Sequence, residues 1–486
     1  MTTTPREEVD PRSDNPPAVP PARQRLRGLR PLLLRLHFYA GVFVGPFILI
    51  AAVTGLLYAL IPQIDDLVYR HELTVAQVGE QRMPLAEQLT AVRAAHPEGT
   101  VESIRPPNAD DETTQVTLAV DDVPPDYART VFVDPYTGEV RGALTTFGQW
   151  MPVRAWFDEL HRTLHLDAIG RNYSELAASW LWVISLAGLA LWYLHRRDTG
   201  KLRRLAAADR ATKDRRRTLS WHGAVGVWIV VALLGLSVTG ITWSRYGGES
   251  VNMIQAHLNM AAPSVDTVLA KSVGQETTAG GHHHGDDAMP ATGDAMLYGA
   301  DTALRTAEQA DLTGPIWMYP PAEHDEGWKV AQNKRDWPTR YDAISVDPDS
   351  GAITDRVNFA DWPFLAKLTD WAIDAHMGIL FGVVNQILLA LTAIGLITIV
   401  VRGYLMWWQR RPTRGSAWAV GRPPLRGTIR NLPPVATVTI AALAIVVGWF
   451  LPLFGLSLAA FVIVDVVIGA IKSRRAAARQ KKPSHA

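Results

Sequence analysis

Cysteine does not occur anywhere in the 486 residues. Its absence excludes disulfides, Fe–S clusters, haem attached through C-x-x-C-H and thiol catalysis, so any metal chemistry must run on His, Met, Tyr and carboxylates. An excess of charge is lacking too. The 48 basic side chains are balanced by 47 acidic ones, which gives no reason to expect nucleic acid or an acidic partner. There is no Walker A sequence, no G-x-S-x-G, no H-E-x-x-H and no convincing dinucleotide-binding fingerprint. ATP hydrolysis, serine hydrolysis, zinc proteolysis and flavin or NAD binding therefore have no support.

What is present is a set of apolar blocks separated by ordinary soluble sequence. Residues 36–61, 176–194, 222–243 and 386–408 are each apolar over about the 20 residues that a bilayer core demands. A fifth block, 435–471, is too long for one span and is broken at Phe450-Leu451-Pro452-Leu453-Phe454-Gly455, a sequence suited to a hairpin between two helices. The blocks predict six transmembrane helices. Basic residues fill the short connections: 23–35, 196–217 with ten Lys or Arg, 402–430, and the tail from 472. By the positive-inside rule both termini are cytoplasmic, in a multi-pass protein of the cell inner membrane. The polar, Pro-rich N-terminus reads as a disordered tail rather than a signal peptide.

The chain repeats itself. Eighteen residues separate His37 from the Gly of Val53-Thr54-Gly55, and eighteen separate His222 from the Gly of Val238-Thr239-Gly240. His161 stands 27 residues before Gly188, and His376 stands 27 before Gly403. Outside the membrane, Asp134-Pro135-Tyr136-Thr137-Gly138 matches Asp347-Pro348-Asp349-Ser350-Gly351. One unit of helix, outer domain and helix thus occurs twice, as parallel repeats about an axis along the membrane normal. Each outer segment reads as a small α+β domain, with helices at 85–95 and near Ala303. Strands are predicted at 115–120, 129–133, 316–319, 328–332 and 341–346. The Asp-Pro stretches are turn initiators rather than catalytic groups.

The predicted fold class is a duplicated membrane α-helical bundle of about six spans carrying two extracytoplasmic α+β domains. The segments are a tail (1–30), span 1 (31–61), outer domain 1 (62–149), an interfacial helix with span 2 (150–195) and a basic loop (196–219). There follow span 3 (220–244), outer domain 2 (245–360), a second interfacial helix with span 4 (361–409), a cytoplasmic loop (410–432), the hairpin of spans 5 and 6 (433–471) and a basic tail (472–486).

Four of the fourteen histidines occupy equivalent places in the repeat. His37 and His222 open spans 1 and 3, while His161 and His376 lie on outer segments that lead into spans 2 and 4. An ionisable residue in or beside a bilayer marks function by default, and paired imidazoles are a usual way to hold haem b between helices. A lone membrane histidine is as readily a hydrogen-bonded packing residue; four in register favour ligation. From the rise of a helix, the inner pair sits roughly 27 Å from the outer end of span 1. His165, one turn after His161, is an alternative ligand. The helix carrying both is expected to end at Gly170, with Asn172 and Glu175 forming a capping box for span 2. His282, His283 and His284, beside Asp286 and Asp287, suit Cu(II), Ni(II) or Zn(II), although a flexible polar insertion is the better account of them. Asp465 and Glu249 have structural pairing or water contact as their default reading, and His195 and His257 read as interface residues.

The chain resembles the PepSY-associated transmembrane family, the iron-regulated membrane proteins, over about residues 30 to 470. The resemblance rests on Leu160-His161-Arg162-Thr163-Leu164, on Tyr173-Ser174-Glu175-Leu176-Ala177-Ala178-Ser179-Trp180, on the two Asp-Pro-x-(Thr/Ser)-Gly turns and on the two His-to-Val-Thr-Gly spans. It implies PepSY domains outside the membrane, haem b and, by analogy with characterised relatives, reduction of ferric siderophores. On that reading His37, His161, His222 and His376 are the ligands. The expected function is a transmembrane electron conduit with two haems b. It would run from a quinol or cytoplasmic donor to an outer metal complex, most readily a ferric siderophore, with membrane lipid as solvent and no nucleic acid partner. Two other readings are a non-enzymatic envelope module that binds or restrains a secreted protease, and copper or other metal handling through the His-rich insertion.

Overall fold

The computed structural model describes residues 21–258, 260–269, 297–323, 325–410 and 432–480. The His-rich insertion, and with it His282, His283 and His284, lies outside the described residues, as does most of the loop 410–432.

The first apolar block is not one straight helix. α1 (Pro21–Phe43) and α2 (Gly45–Ala59) meet at 59°. Pro46 falls in the first turn of α2, where its missing N–H leaves the ladder broken at Val44. After α2 come α3 (Pro62–Val68), α4 (Arg70–Leu73) and α5 (Leu85–Ala95), then the strands β1 (Thr100–Arg105), β2 (Thr114–Ala119), β3 (Ala128–Val133) and β4 (Val140–Thr146). α6 (Pro152–Thr163) and the long α7 (Asp167–Asp198) follow. The second unit repeats this order with α8 (Asp214–Thr242), α9 (Arg245–His257), α10 (Ala300–Gln309), β5 (Ile316–Tyr319), β6 (Trp328–Gln332), β7 (Ala343–Val346), β8 (Ile353–Val357), α11 (Phe364–His376) and α12 (Gly382–Trp408). α13 (Pro434–Phe450) and α14 (Pro452–Gln480) close the chain.

By length and composition, α7, α8, α12 and residues 452–474 of α14 are each able to cross a membrane, and the bent α1–α2 pair makes a fifth crossing if counted as one span. α13 is apolar but has only 17 residues. It packs back on α14 through a hairpin so tight that a Cβ on Gly448 would stand 2.9 Å from the Cα of Gly455.

The two expected outer domains are halves of one sheet. All eight strands join antiparallel in the order β4-β3-β2-β1-β5-β6-β7-β8, and the halves meet where Ile104 of β1 pairs with Met318 of β5. One face carries a single core drawn from both halves, in which Val116, Val131, Trp328 and Ile344 are fully buried together with Leu89 of α5 and Ala303 of α10. α5 begins after Pro84, which has no capping side chain, and Asp301 of α10 supplies one. Its carboxylate accepts the N–H of Leu85 at 2.6 Å and of Ala86 at 3.1 Å, an arrangement typically worth about 1 kcal/mol. The repeated Asp-Pro turns are structural: Asp134 accepts the amides of Tyr136 and Thr137, and Asp347 those of Asp349 and Ser350.

The expected capping box is corrected. α6 stops at Thr163, with Leu164 in the left-handed region, and α7 runs unbroken from Asp167 through both Asn172 and Glu175. Glu175 is fully buried and caps a different helix, accepting the amides of Tyr246 at 3.0 Å and Gly247 at 3.2 Å in the first turn of α9. A carboxylate at a helix N-terminus satisfies orphan donors and favours the helix dipole.

Candidate functional site

Two pairs of imidazoles face each other across the repeat. His37 of α1 and His222 of α8 have ring centroids 6.1 Å apart, and His161 of α6 and His376 of α11 are 6.5 Å apart. Each ring is oriented from within its own repeat. His37 Nδ1 lies 2.9 Å from the carbonyl oxygen of Ile184 in α7, and His222 Nδ1 lies 2.9 Å from that of Ile399 in α12. A carbonyl can only accept, so Nδ1 carries the proton and the neutral ring keeps its lone pair on Nε2. In the outer pair the partner is a hydroxyl. Thr54 Oγ1 lies 2.9 Å from His161 Nδ1, and Thr239 Oγ1 lies 2.5 Å from His376 Nδ1. Each threonine gives its own proton to the backbone one turn back, Thr54 to Ile50 at 3.0 Å and Thr239 to Gly235 at 2.9 Å. The oxygen is then the acceptor, and again Nε2 is left uncommitted.

Glycines clear the space beside the rings. A Cβ on Gly188 would stand 2.8 Å from Cε1 of His37, and one on Gly55 would stand 3.1 Å from Cε1 of His161. The Val-Thr-Gly repeat, read in the sequence as a register mark, thus contains the acceptor and, in the first repeat, the clearance for an outer histidine. Thr54 and Thr239 were legible there only as a pattern, because nothing local shows which ring they meet.

The separations suit one metal between two imidazoles. With Nε2 about 2 Å from the ion and the ring centre about 1.1 Å behind it, the centroids would lie roughly 6.2 Å apart. Fixing the distal nitrogen by a carbonyl or hydroxyl is also how metal-ligating histidines are usually held. The two pairs are about 25 Å apart along α8, since 17 residues of unbroken helix separate His222 from Thr239. This measure replaces the one taken along span 1, which is bent.

His165 lies elsewhere. It is exposed, and its ring packs 4.8 Å from that of Trp156 rather than on His376. His195 packs on Trp192 and His257 bonds the Met253 carbonyl, each within its own helix, and Asp465 pairs with Arg35, as its default reading expected.

Beside the outer pair is a polar cluster that the sequence did not reveal. Tyr58 packs against Ile373 and Met377 of the His376 helix, and its hydroxyl accepts from Arg154 Nε at 3.2 Å. The Arg154 guanidinium lies 3.6 Å over the Trp150 ring, with Arg335 at 5.4 Å from the same ring. Arg335 is paired with buried Asp374, which also accepts the Tyr341 hydroxyl at 2.7 Å. Burial, reinforced by the neighbouring Asp374 charge, pushes the Asp370 carboxyl up to about 7, and burial pushes Asp65 up to about 6. Arg154 stands seven residues before His161 on the same face of α6, and its Nη2 is buried with no hydrogen-bond partner among the described residues. A buried donor without an acceptor calls for one. A carboxylate borne by a group between the outer imidazoles would supply it, so the residues present fit haem as well as a bare ion.

Among the described residues no cluster of three or more His, Cys, Asp or Glu is placed to hold a metal, so the imidazole pairs stand alone as ligand candidates there. No curated protein matches the chain. Residues 34–410 match the family described as the PepSY-associated TM region. That stretch is more than half of the chain and holds both histidine pairs and the whole sheet: this is a membrane protein that belongs to the PepSY-associated TM family.

Proposed function

We propose that the protein carries two haems b, one between His37 and His222 and one between His161 and His376, and passes electrons across the inner membrane to a metal complex held outside. The observation that carries this reading is the double imidazole pairing, with each Nδ1 committed to an acceptor and each Nε2 free. Haem, when bound, supplies a one-electron carrier. The chain orients the four rings, clears them with Gly188 and Gly55, and offers Arg154 to a carboxylate beside the outer pair. Both termini lie in the cytoplasm, the chain crosses six times with α13 and α14 as a short hairpin, and the two halves of the sheet are PepSY-like domains on the outer side. The electron donor is a quinol or a cytoplasmic reductant, and the acceptor is a ferric siderophore or a related chelate. A pyridine haemochrome assay and a dithionite-reduced spectrum of the purified protein test the reading. Two haems b per chain are expected; a colourless protein from haem-sufficient cells would overturn it.

A further inference from the structure

At the basic end of the bundle, one helical turn from His222 of the inner imidazole pair, a cavity of about 450 Å³ opens between α8 and α12, lined by Asp214, Arg217, Thr218, Trp221, Arg402 and Gln409. Four of these residues form one stripe on α8, spaced at three, four and seven residues, and the other two lie seven apart, Arg402 on α12 and Gln409 at its C-terminal cap. The cavity is therefore a groove between two helix faces. Its charge is positive: Arg217 and Arg402 face one carboxylate, Asp214, and none of the three forms an ion pair among the described residues. Arg402 Nε is buried without a hydrogen-bond partner, while its guanidinium lies 5.9 Å over the Trp221 ring. Arg410 stands near enough to Arg215 that, after burial, this like charge also holds its pKa down. So concentrated a positive charge with an unsatisfied buried donor asks for an oxyanion.

The flanks of the groove say which kind. Val401, Leu405 and Trp408, beside Arg402 on α12, are 44%, 46% and 59% exposed. By helical spacing they form one apolar stripe on the face of α12 beside the one that carries Arg402. A soluble anion has no use for that surface, whereas a lipid's acyl chains would cover it while the phosphate reaches the arginines. Basic pockets between membrane helices at the cytoplasmic face bind anionic headgroups in this way.

We propose that this groove is a binding site for an anionic phospholipid, whose phosphate is held by Arg402 and Arg217 and whose acyl chains lie along Val401 and Leu405. The proposal goes beyond the haem reading and does not depend on it, because no lining residue is an imidazole ligand.

The test measures lipid binding to the full chain in neutral detergent by native mass spectrometry, with phosphatidylglycerol and phosphatidylcholine as probes and both haem-loaded and haem-stripped protein. Phosphatidylglycerol should bind in either state, and phosphatidylcholine at least tenfold more weakly. At about fivefold per arginine, the Arg217→Gln/Arg402→Gln double variant should lose roughly 30-fold in affinity. The Arg402→Lys variant, which keeps the charge, should stay within a few-fold and so separates lost binding from lost folding. Equal affinity for the two lipids, or an unchanged double variant, would overturn the proposal. Displacement of phosphatidylglycerol by millimolar inorganic phosphate would reassign the groove to a small anion. Loss of haem from the double variant with lipid binding intact would reassign it to a haem carboxylate, and either result would overturn the lipid assignment.

Discussion

Replacing Thr54 by Val removes one oxygen and nearly nothing else, since the two side chains share a shape. Thr54 is 6% exposed, and its Oγ1 lies 2.9 Å from His161 Nδ1 while its proton goes to the Ile50 carbonyl. The variant therefore strands one buried imidazole N–H. Stranding a buried donor costs about 1–3 kcal/mol, and loss of a partner behind a metal-bound histidine typically costs 10–100-fold in affinity, which spans the same range. Outer-site haem affinity should fall by that factor. The inner pair should be spared, because His37 and His222 are held by the backbone carbonyls of Ile184 and Ile399, which no side-chain substitution removes. Haem transfer to an excess of a haem-scavenging apoprotein, followed in the Soret band, should show one component leaving 10–100-fold faster and one unchanged. Thr54→Ser, which keeps the hydroxyl, should behave as the parent. Equal acceleration of both components, or no change in either, would refute the assignment of Thr54 as the acceptor that holds His161 on a ligated ring.

Four further outcomes are expected. His161→Ala should remove one of two haems and block reduction of an external ferric complex, whereas His37→Ala should remove the other; loss of the same spectral component in both would mean that the ligands pair within a repeat. Asp370 has a folded pKa raised to about 7 from 3.8, so its contribution to stability is full below pH 4 and is lost as pH rises through 7. Asp370→Asn should accordingly raise the melting temperature at pH 8, by up to about 4 kcal/mol of stability as an upper bound, and give no gain at pH 4; denaturation at the two pH values checks it. Glu175→Ala strands the amides of Tyr246 and Gly247 and should cost about 1–3 kcal/mol, seen as earlier proteolysis around α9 with haem content unchanged. Deleting residues 280–287 should leave membrane insertion and haem content intact, because the segment interrupts a repeat that is complete without it.

The sequence by itself determined the apolar blocks, the duplication and the register of four histidines, because these depend on composition and spacing along one chain. It also located α5, β5 and β6, whose periodicity is strong and whose bounds agree with the structure. It did not reveal β4 and β8, the half-solvated outer strands of the sheet, or β1, where a bulge after Val101 breaks the alternation. Only the tertiary structure decided which histidines meet. Hydrogen bonds orient each ring within its own repeat, but the rings approach each other across the two repeats, and spacing within a chain cannot report a contact between copies of a motif. The same holds for the fusion of two expected domains through Ile104 and Met318, for Asp301 capping α5, and for Glu175, whose local pattern favours a cap on its own helix. Buried in the bundle, that carboxylate is satisfied instead by the free amides of α9, because a buried charge must find donors wherever the packing brings them.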